Sequence, residues 1–345
     1  MAMSAFEAEV LTQPQALQGQ LSVYAGPDSP LARLDGLPGG RPTAVTFLGM
    51  GTSLFAAHPA VCRLNALGIA ARAVDASEYL YYHWEDSRPG LLRVLVSQSG
   101  ESPEVKKVAA RLAGKAPFVA ITNDESSRLA RAATAVLPLL AGAEHSTTNK
   151  TYINSLAAGL ALAEWAGHRD PRGALEPLRA LPQAMGSLLT GWRDAVGPLA
   201  DFLGEPAHLD LIGRGPSLAT VSQGSLILRE LAHVKCAGMN AGLFRHGLVP
   251  SMRGGGLMLA FAPAGEMEGL TLGLVADVVA AGGRAVVVTT RSVPRKEGWF
   301  PVLLPPCGKL YAPFLEIVLV ELLGLLYAER RGMEPGAGIP KITPK

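Results

Sequence analysis

The sequence predicts an α/β protein made of two tandem, doubly wound parallel-sheet domains. Three observations predict it. Short apolar runs alternate with segments of crossover length, that alternation occurs twice, and glycine turns in the two rounds match at a nearly constant spacing. At roughly 150 residues per domain, the 345-residue chain also suits about two domains.

The first round reads as strands at TAVTFLG (43–49), IAARAVDA (69–76), LLRVLVS (91–97), FVAITN (118–123) and TAVLPLL (134–140), separated mostly by helical or turn segments. The second reads HLDLIGRG (208–215), GLMLAFAP (256–263), RAVVVTT (284–290) and PVLLP (301–305), and ends in a long apolar helix near Leu315 to Arg331. FLGMGTSLFAA and LIGRGPSLAT share a Gly-x-Gly-x-Ser-Leu core, with Gly49 and Gly213 164 residues apart. SQSGE from Ser97 and APAGE from Ala262 stand 165 apart and are followed in turn by VAITN and VVVTT. An internal duplication follows, with domains over residues 1–170 and 190–345 and a proline-bearing joint containing Pro171, Pro177 and Pro182.

Composition removes several classes of function. With 48% hydrophobic residues, 17% charged residues and a formal charge of +2, the chain is globular and has no basic field for nucleic acid. Seven histidines and Cys62, Cys236 and Cys307 show neither CxxC nor HExxH spacing, so no metal, disulfide framework or cofactor is expected, and the reducing cytosol is the expected compartment. The start, MAMSAFEAEV, lacks the basic-then-apolar order of a signal peptide. Glu316 and Glu321 inside FLEIVLVELLGLLYAER favour a buried helix over a membrane span, so no membrane partner is expected.

The run VLVSQSGES (94–102) carries the first chemistry. An apolar strand ends in hydroxyls, and Ser102, Pro103 and Glu104 then supply an N-cap, a proline at the first helical position and an acid in the first turn, with Val105, Val108, Ala109 and Leu112 on the buried face. Free amides and the positive end of a helix favour an anion there, which makes a phosphate the natural guest; the alternative is a turn whose serines only cap the helix. The second copy replaces Ser97, Ser99 and Ser102 with Ala262, Ala264 and Met267. That difference favours phosphate, because serines needed only for the turn have less reason to change in all three places. The Gly49-Met50-Gly51 turn lacks the third glycine of a dinucleotide fingerprint and is read as bringing Thr52 and Ser53 to the carboxyl edge of the sheet.

In the second half, GSLILRELAHVKCAGMNAGLFRHG places Gln223, Leu226, Glu230 and His233 on one helical stripe, with Val221, Leu228 and Ala232 on the packed face. A partly buried Glu230 suits a general base, and the plain alternative is a surface pair with Arg229. His246 lies in a glycine-flanked loop that fits acid–base work or plain exposure. The tail GMEPGAGIPKITPK is broken by Pro335, Gly336, Gly338 and Pro340 and is expected to be extended, with Lys341 either in a site or solvated.

Together, GMGTS, SQSGES, AGAEHSTTNKTY, GRG, the Glu230 and His246-Gly247 block and the terminal Pro-Lys-Ile-Thr resemble the sugar isomerase (SIS) domain family, in its two-domain form found as the isomerase half of glutamine:fructose-6-phosphate amidotransferases. The resemblance covers nearly the whole chain. It implies two flavodoxin-like SIS domains, a hexose 6-phosphate held by Ser97, Gln98, Ser99 and Ser102 with Thr52 and Ser53 beside them, Glu230 as the C1/C2 proton shuttle, His246 for ring opening and Lys341 for a Schiff base. A homodimer is implied too, since the family's histidine typically reaches the neighbouring subunit's site. Where the family has Glu-Leu-Lys-His-Gly-Pro this chain has Leu243 to Leu248, Ile227 stands where a lysine is usual, and the segment after Glu144 is one residue short. A chain beginning Met-Ala-Met has no N-terminal cysteine nucleophile, so glutamine hydrolysis is not expected of it. The expected activity is a phosphosugar deaminase or aldose–ketose isomerase; the alternatives are a sugar-phosphate sensor without catalysis and an ammonia-dependent aminotransferase. A nicotinamide dehydrogenase rests only on the incomplete glycine pattern.

Overall fold

In the computed structural model, described for residues 3–84, 88–145, 147–167 and 173–336, each round of the alternation is a five-stranded, wholly parallel sheet. The chain divides into two compact units. One comprises the described residues of 12–144 and 148–182; the other comprises those of 3–11 and 183–336 together with His145 and Thr147. We call them the N-terminal and C-terminal units.

The N-terminal unit follows a first helix, α1 (Ala5–Leu11), which belongs to the other unit. It runs α2 (Gln13–Ala25), β1 (Ala44–Gly49), α3 (Thr52–Phe55), α4 (His58–Ala66), β2 (Ala70–Asp75), α5 (Ala76–Tyr82), β3 (Leu91–Val96), α6 (Pro103–Leu112), β4 (Phe118–Thr122), α7 (Arg128–Ala132), β5 (Ala135–Pro138) and α8 (Lys150–Ala166). Strand order is β2-β1-β3-β4-β5. The chain winds outward in both directions from β1 and β3, so their carboxyl ends flank a crevice of the kind where open α/β sheets take ligands. Continuous burial of β1 and β4 explains their unbroken apolar runs, since helices cover both faces of a parallel sheet. The predicted inward residues of α6, Val105, Val108, Ala109 and Leu112, are all buried. α8 is buried along its whole length.

The C-terminal unit repeats the plan. After α9 (Leu181–Leu189), in whose first turn the two units divide, come α10 (Trp192–Leu203), β6 (Leu209–Gly213), α11 (Leu218–Ala232), β7 (Cys236–Asn240), α12 (Ala241–Arg245), β8 (Leu257–Phe261), α13 (Glu268–Ala280), β9 (Arg284–Thr289), β10 (Trp299–Leu303) and α14 (Ala312–Arg330). Its order, β7-β6-β8-β9-β10, is that of the first sheet with each strand replaced by its duplicate. Both sheets are flavodoxin-like. The strand reading of the second half omits β7, whose sequence CAGMN has no β-branched or aromatic residue and which pairs only with β6 at the sheet edge.

The polar content of α14 has a structural account. Glu316 and Glu321 are buried within the apolar stretch of α14, whose last turn adds Glu329 and Arg330, and no helix among the described residues is long and apolar enough to cross a membrane. α14 ends at Arg330, and Gly332 takes a positive φ of 64° just beyond it. Lys341 lies outside the described residues.

Candidate functional site

In the N-terminal unit the candidate anion site grows from the ends of β1 and β3, which pair directly. Close approach at the end of β1 depends on Gly49. A Cβ there would meet Leu54 N, Ser53 C and Val96 O at 3.1 Å each, so the turn carrying Thr52 and Ser53 packs against the last residue of β3 only because position 49 has no side chain. Thr52 and Ser53 open the short helix α3 and are both half-buried.

From β3 the chain enters Ser97, which is 2% exposed and whose N–H donates to Ile121 O at 3.0 Å, extending the ladder to β4 by one bond. The loop then folds back on itself. Ser97 Oγ and Ser102 Oγ lie 3.0 Å apart, and Ser99 Oγ accepts from Glu101 N–H at 3.2 Å. The Gln98 carbonyl accepts from Asn123 N–H at 3.0 Å and Thr122 Oγ1 at 3.2 Å. Gly100 has a φ of +62°, and a Cβ there would lie 2.1 Å from Ser127 Oγ, so this turn admits only glycine. The Glu101 carboxylate accepts Arg128 N–H at 2.8 Å and Lys106 Nζ at 3.1 Å, which hold it below its ordinary pKa and tie the loop to α6 and α7.

The capping alternative for the serines is testable on this geometry. Ser102 occupies the N-cap position of α6 yet makes no side-chain cap hydrogen bond; its hydroxyl turns to Ser97 instead. Pro103 has no N–H, so the amides that open this ten-residue helix are those of Glu104 and Val105, and Ser102 does not consume them. Two hydroxyls and a helix start therefore share one sheet edge. Such an array can hold a dianion through hydroxyl and amide donors with little rearrangement.

The C-terminal unit carries the candidate acid–base groups. Glu230 stands half-buried in the last turn of α11, and burial raises its carboxyl pKa while the Thr147 hydroxyl beside it pulls the other way. It is not the partner of Arg229, whose Nε donates to Cys236 O at 2.8 Å. Val221, Leu228 and Ala232 are buried, as the helical stripe predicts, but Gln223 is buried as well, and His233 leaves the helix in a left-handed conformation with φ +53° and is exposed. His246 sits at the C-cap of α12 and is exposed, while its neighbour Arg245 pairs with Asp277 at 2.6 Å.

Two groups the sequence reading leaves unassigned stand out. Thr147, 5% exposed, belongs to the AGAEHSTTNKTY segment, whose resemblance was visible without a role for this hydroxyl. Glu316 accepts from Ser217 Oγ at 2.8 Å and Thr220 Oγ1 at 2.7 Å, and full burial pushes its carboxyl up to about 7. The signal available for Glu316 was an acid within an apolar helix. Among the described residues no three His, Cys, Asp or Glu side chains gather as a metal site.

The SIS domain model matches residues 42–165, which takes in both turns of the candidate anion site. The chain is 26% identical over 332 residues to a glutamine–fructose-6-phosphate aminotransferase (isomerizing) of Methanothermobacter thermautotrophicus, covering 95% of this chain and 55% of that protein. It thus spans about half the length of the curated relatives it matches. Among solved structures, the C-terminal domain of a glucosamine-fructose-6-phosphate aminotransferase from Francisella tularensis superposes with a TM-score of 0.83 at 19% identity, over 95% of this chain and 97% of that one. A glucosamine-6-phosphate deaminase from Thermotoga maritima superposes with a TM-score of 0.74 at 20% identity, over 96% and 97%.

Proposed function

We propose, for a chain whose residues 42–165 match the SIS domain model, that it is a phosphosugar enzyme acting on a hexosamine 6-phosphate or a related ketosamine phosphate by deamination or aldose–ketose isomerisation. The observation that carries this reading is the serine loop: Ser97 and Ser102 turn their hydroxyls together beside the unconsumed amides of α6, next to Thr52 and Ser53. Gln98 and Ser99 complete the phosphate and sugar contacts. Anchoring the phosphate leaves the sugar carbons to the acid–base groups, so binding energy away from the reacting centre fixes its orientation.

In this reading His246 opens the ring, Lys341 forms the imine with the carbonyl carbon, and Glu230 moves the proton between C1 and C2. Burial supports the role of Glu230, because a carboxyl raised toward neutrality both accepts and returns a proton at cellular pH. The enzyme works in the cytosol as a homodimer. Light scattering that gives the mass of one chain would remove the dimer from this account.

Proton NMR in deuterated buffer tests the chemistry. Incubating the protein with glucosamine 6-phosphate or fructose 6-phosphate is expected to wash out the C1 or C2 proton signal, and Glu230→Gln abolishes that exchange. Ammonia released with conversion identifies a deaminase, and conversion that requires added ammonia identifies an aminotransferase. A second reading, a sugar-phosphate sensor, draws on the altered block Leu243 to Leu248, where Arg245 is engaged with Asp277. Tight binding of either sugar phosphate with no exchange at any pH would select it.

A further inference from the structure

The AGAEHSTTNKTY segment has no part in the chemistry set out above, yet it carries a buried cation. Lys150 opens α8, is 9% exposed, and its Nζ donates to Ala143 O at 2.5 Å. An ammonium has three donors, and among the described residues that carbonyl is its only partner; no carboxylate pairs with it. Glu144 follows Ala143 in sequence, but its carboxylate is turned to the start of the helix, where it accepts Asn149 N–H at 3.0 Å, Thr151 N–H at 3.1 Å and Thr151 Oγ1 at 2.6 Å. A helix start is the positive end of the dipole, so a cation buried there gains nothing from the helix and calls for a negative charge from elsewhere.

Two sets of contacts, both within the N-terminal unit, bring this ammonium to the edge that carries the candidate anion site. The first runs through Asn123. Its N–H donates to the Gln98 carbonyl of the serine loop at 3.0 Å, its Nδ2 donates to Gly142 O at 2.8 Å, and its Oδ1 accepts Ala141 N–H at 2.9 Å, so the segment that offers Ala143 O to Lys150 is bonded to the residue that holds the serine loop. The second is the packing of α8. Gly159 lies against Ala60 and Gly167 against Leu67, at sequence offsets of 99 and 100, so α8 runs alongside α4 in the same direction. Only Ala56 and Ala57, both in helical conformation, separate α4 from α3, and α8 packs against α3 as well. That register brings Lys150 and Thr151 level with Gly51 and Thr52.

The serine loop and the turn after β1 offer hydroxyls and amides but no charge, while a phosphate monoester carries close to two negative charges at neutral pH. Other cations nearby are engaged. Lys106 lies 3.1 Å and Arg128 3.8 Å from the Glu101 carboxylate, and Arg63 of α4 pairs with Glu164 farther along α8. We infer that Lys150 supplies the positive charge of the candidate anion site: its buried ammonium, held by the Ala143 carbonyl at the sheet edge level with Thr52, is the counter-charge for the phosphate dianion that the serine loop takes. This inference rests on the reading of the serine loop as a phosphate site. It adds to that reading a residue that discriminates by charge, because hydroxyls accept a neutral or singly charged ligand as readily as a dianion whereas a buried ammonium does not.

The test is binding of glucosamine 6-phosphate to the full chain, followed by calorimetry for affinity and by 31P NMR for the ionisation of the bound phosphate. Lys150→Met removes the charge and keeps the length of the side chain; Lys150→Gln removes the charge but keeps an N–H donor, and stands in for the methionine variant if that one fails to fold. Both are expected to weaken binding by about 10- to 100-fold. In the wild type the bound phosphate should stay dianionic to below its free midpoint of about pH 6, and in both variants that midpoint should rise by about one pH unit. Affinity and midpoint unchanged in Lys150→Met overturn the inference. So does wild-type affinity in Lys150→Gln, or an affinity loss with the midpoint unmoved, since either result leaves Lys150 only the task of holding the Ala143 carbonyl. No binding by the wild type, or binding that survives Ser97→Ala with Ser102→Ala, overturns the serine-loop reading instead, so the two failures are distinguishable.

Discussion

The two sheets share one topology and one glycine-turn pattern, but their carboxyl edges are finished in opposite ways. In the N-terminal unit the loop after β3 presents Ser97 and Ser102 at the start of α6, and Thr52 and Ser53 follow the adjacent β1. In the C-terminal unit the matching loop after β8 is Ala262 to Met267, and the donors nearby face carboxylates of the protein itself. Ser217 and Thr220 donate to Glu316, Arg291 Nε lies 2.8 Å from Glu268, and Lys309 pairs with Glu266 at 3.2 Å. In the proposed reading one edge is left for an external anion, whereas the donors near the other are engaged with the protein's own carboxylates. If the proposed roles hold, the duplication divides labour, with one copy keeping the serine loop while the other carries a half-buried acid on α11.

The first way to break this contrast is to remove the acid. Glu230→Gln is expected to lower carbon–proton exchange by about 10²- to 10⁴-fold while phosphosugar affinity stays within a few-fold of the wild type, as NMR exchange and calorimetry on the same samples check. Equal losses in both would move Glu230 from chemistry to binding. Next in size, the double variant Ser97→Ala with Ser102→Ala weakens sugar-phosphate binding by about 10- to 100-fold, since hydrogen bonds to charged groups are each worth about 1.5–3 kcal/mol.

Glu316 sharpens the other half of the comparison. Its folded-state pKa of about 7 lies above that of an exposed glutamate, so the protonated form is favoured by folding. Its contribution to stability is fully present below the unfolded-state value and is lost as pH rises through about 7. Urea melts between pH 5 and 8.5 should therefore show stability falling with pH in the wild type and a flatter profile in Glu316→Gln. An unchanged slope in the variant would contradict the internal role of this carboxyl. The smallest effect belongs to Ser99→Ala. Ser99 is exposed and accepts only the local Glu101 N–H, so its loss should cost less than about 1 kcal/mol of stability and change binding less than the Ser97/Ser102 pair does.

Much of this contrast is written in local pattern. Short apolar runs gave nine of the ten strands, and Ser102-Pro103-Glu104 marked the start of α6 with its buried face correct at all four residues. β7 escaped because an edge strand of Cys, Ala, Gly, Met and Asn has no periodic signal; its existence follows from pairing with β6 and from the duplicate of β2. The placement of Gln223 inside the fold escaped for a related reason, since a helical stripe reports which residues share a face and not how deeply that face is covered. The place of Glu316 was beyond sequence reasoning because its partners, Ser217 and Thr220, lie about 100 residues away along the chain.

The most direct test of an anion edge and a closed duplicate is the stoichiometry of bound phosphate, followed by 31P NMR titration of the wild-type protein with inorganic phosphate. The account predicts one phosphate per chain, displaced by glucosamine 6-phosphate and absent in the Ser97→Ala, Ser102→Ala double variant. Two phosphates per chain, or one that persists in the double variant, would contradict it.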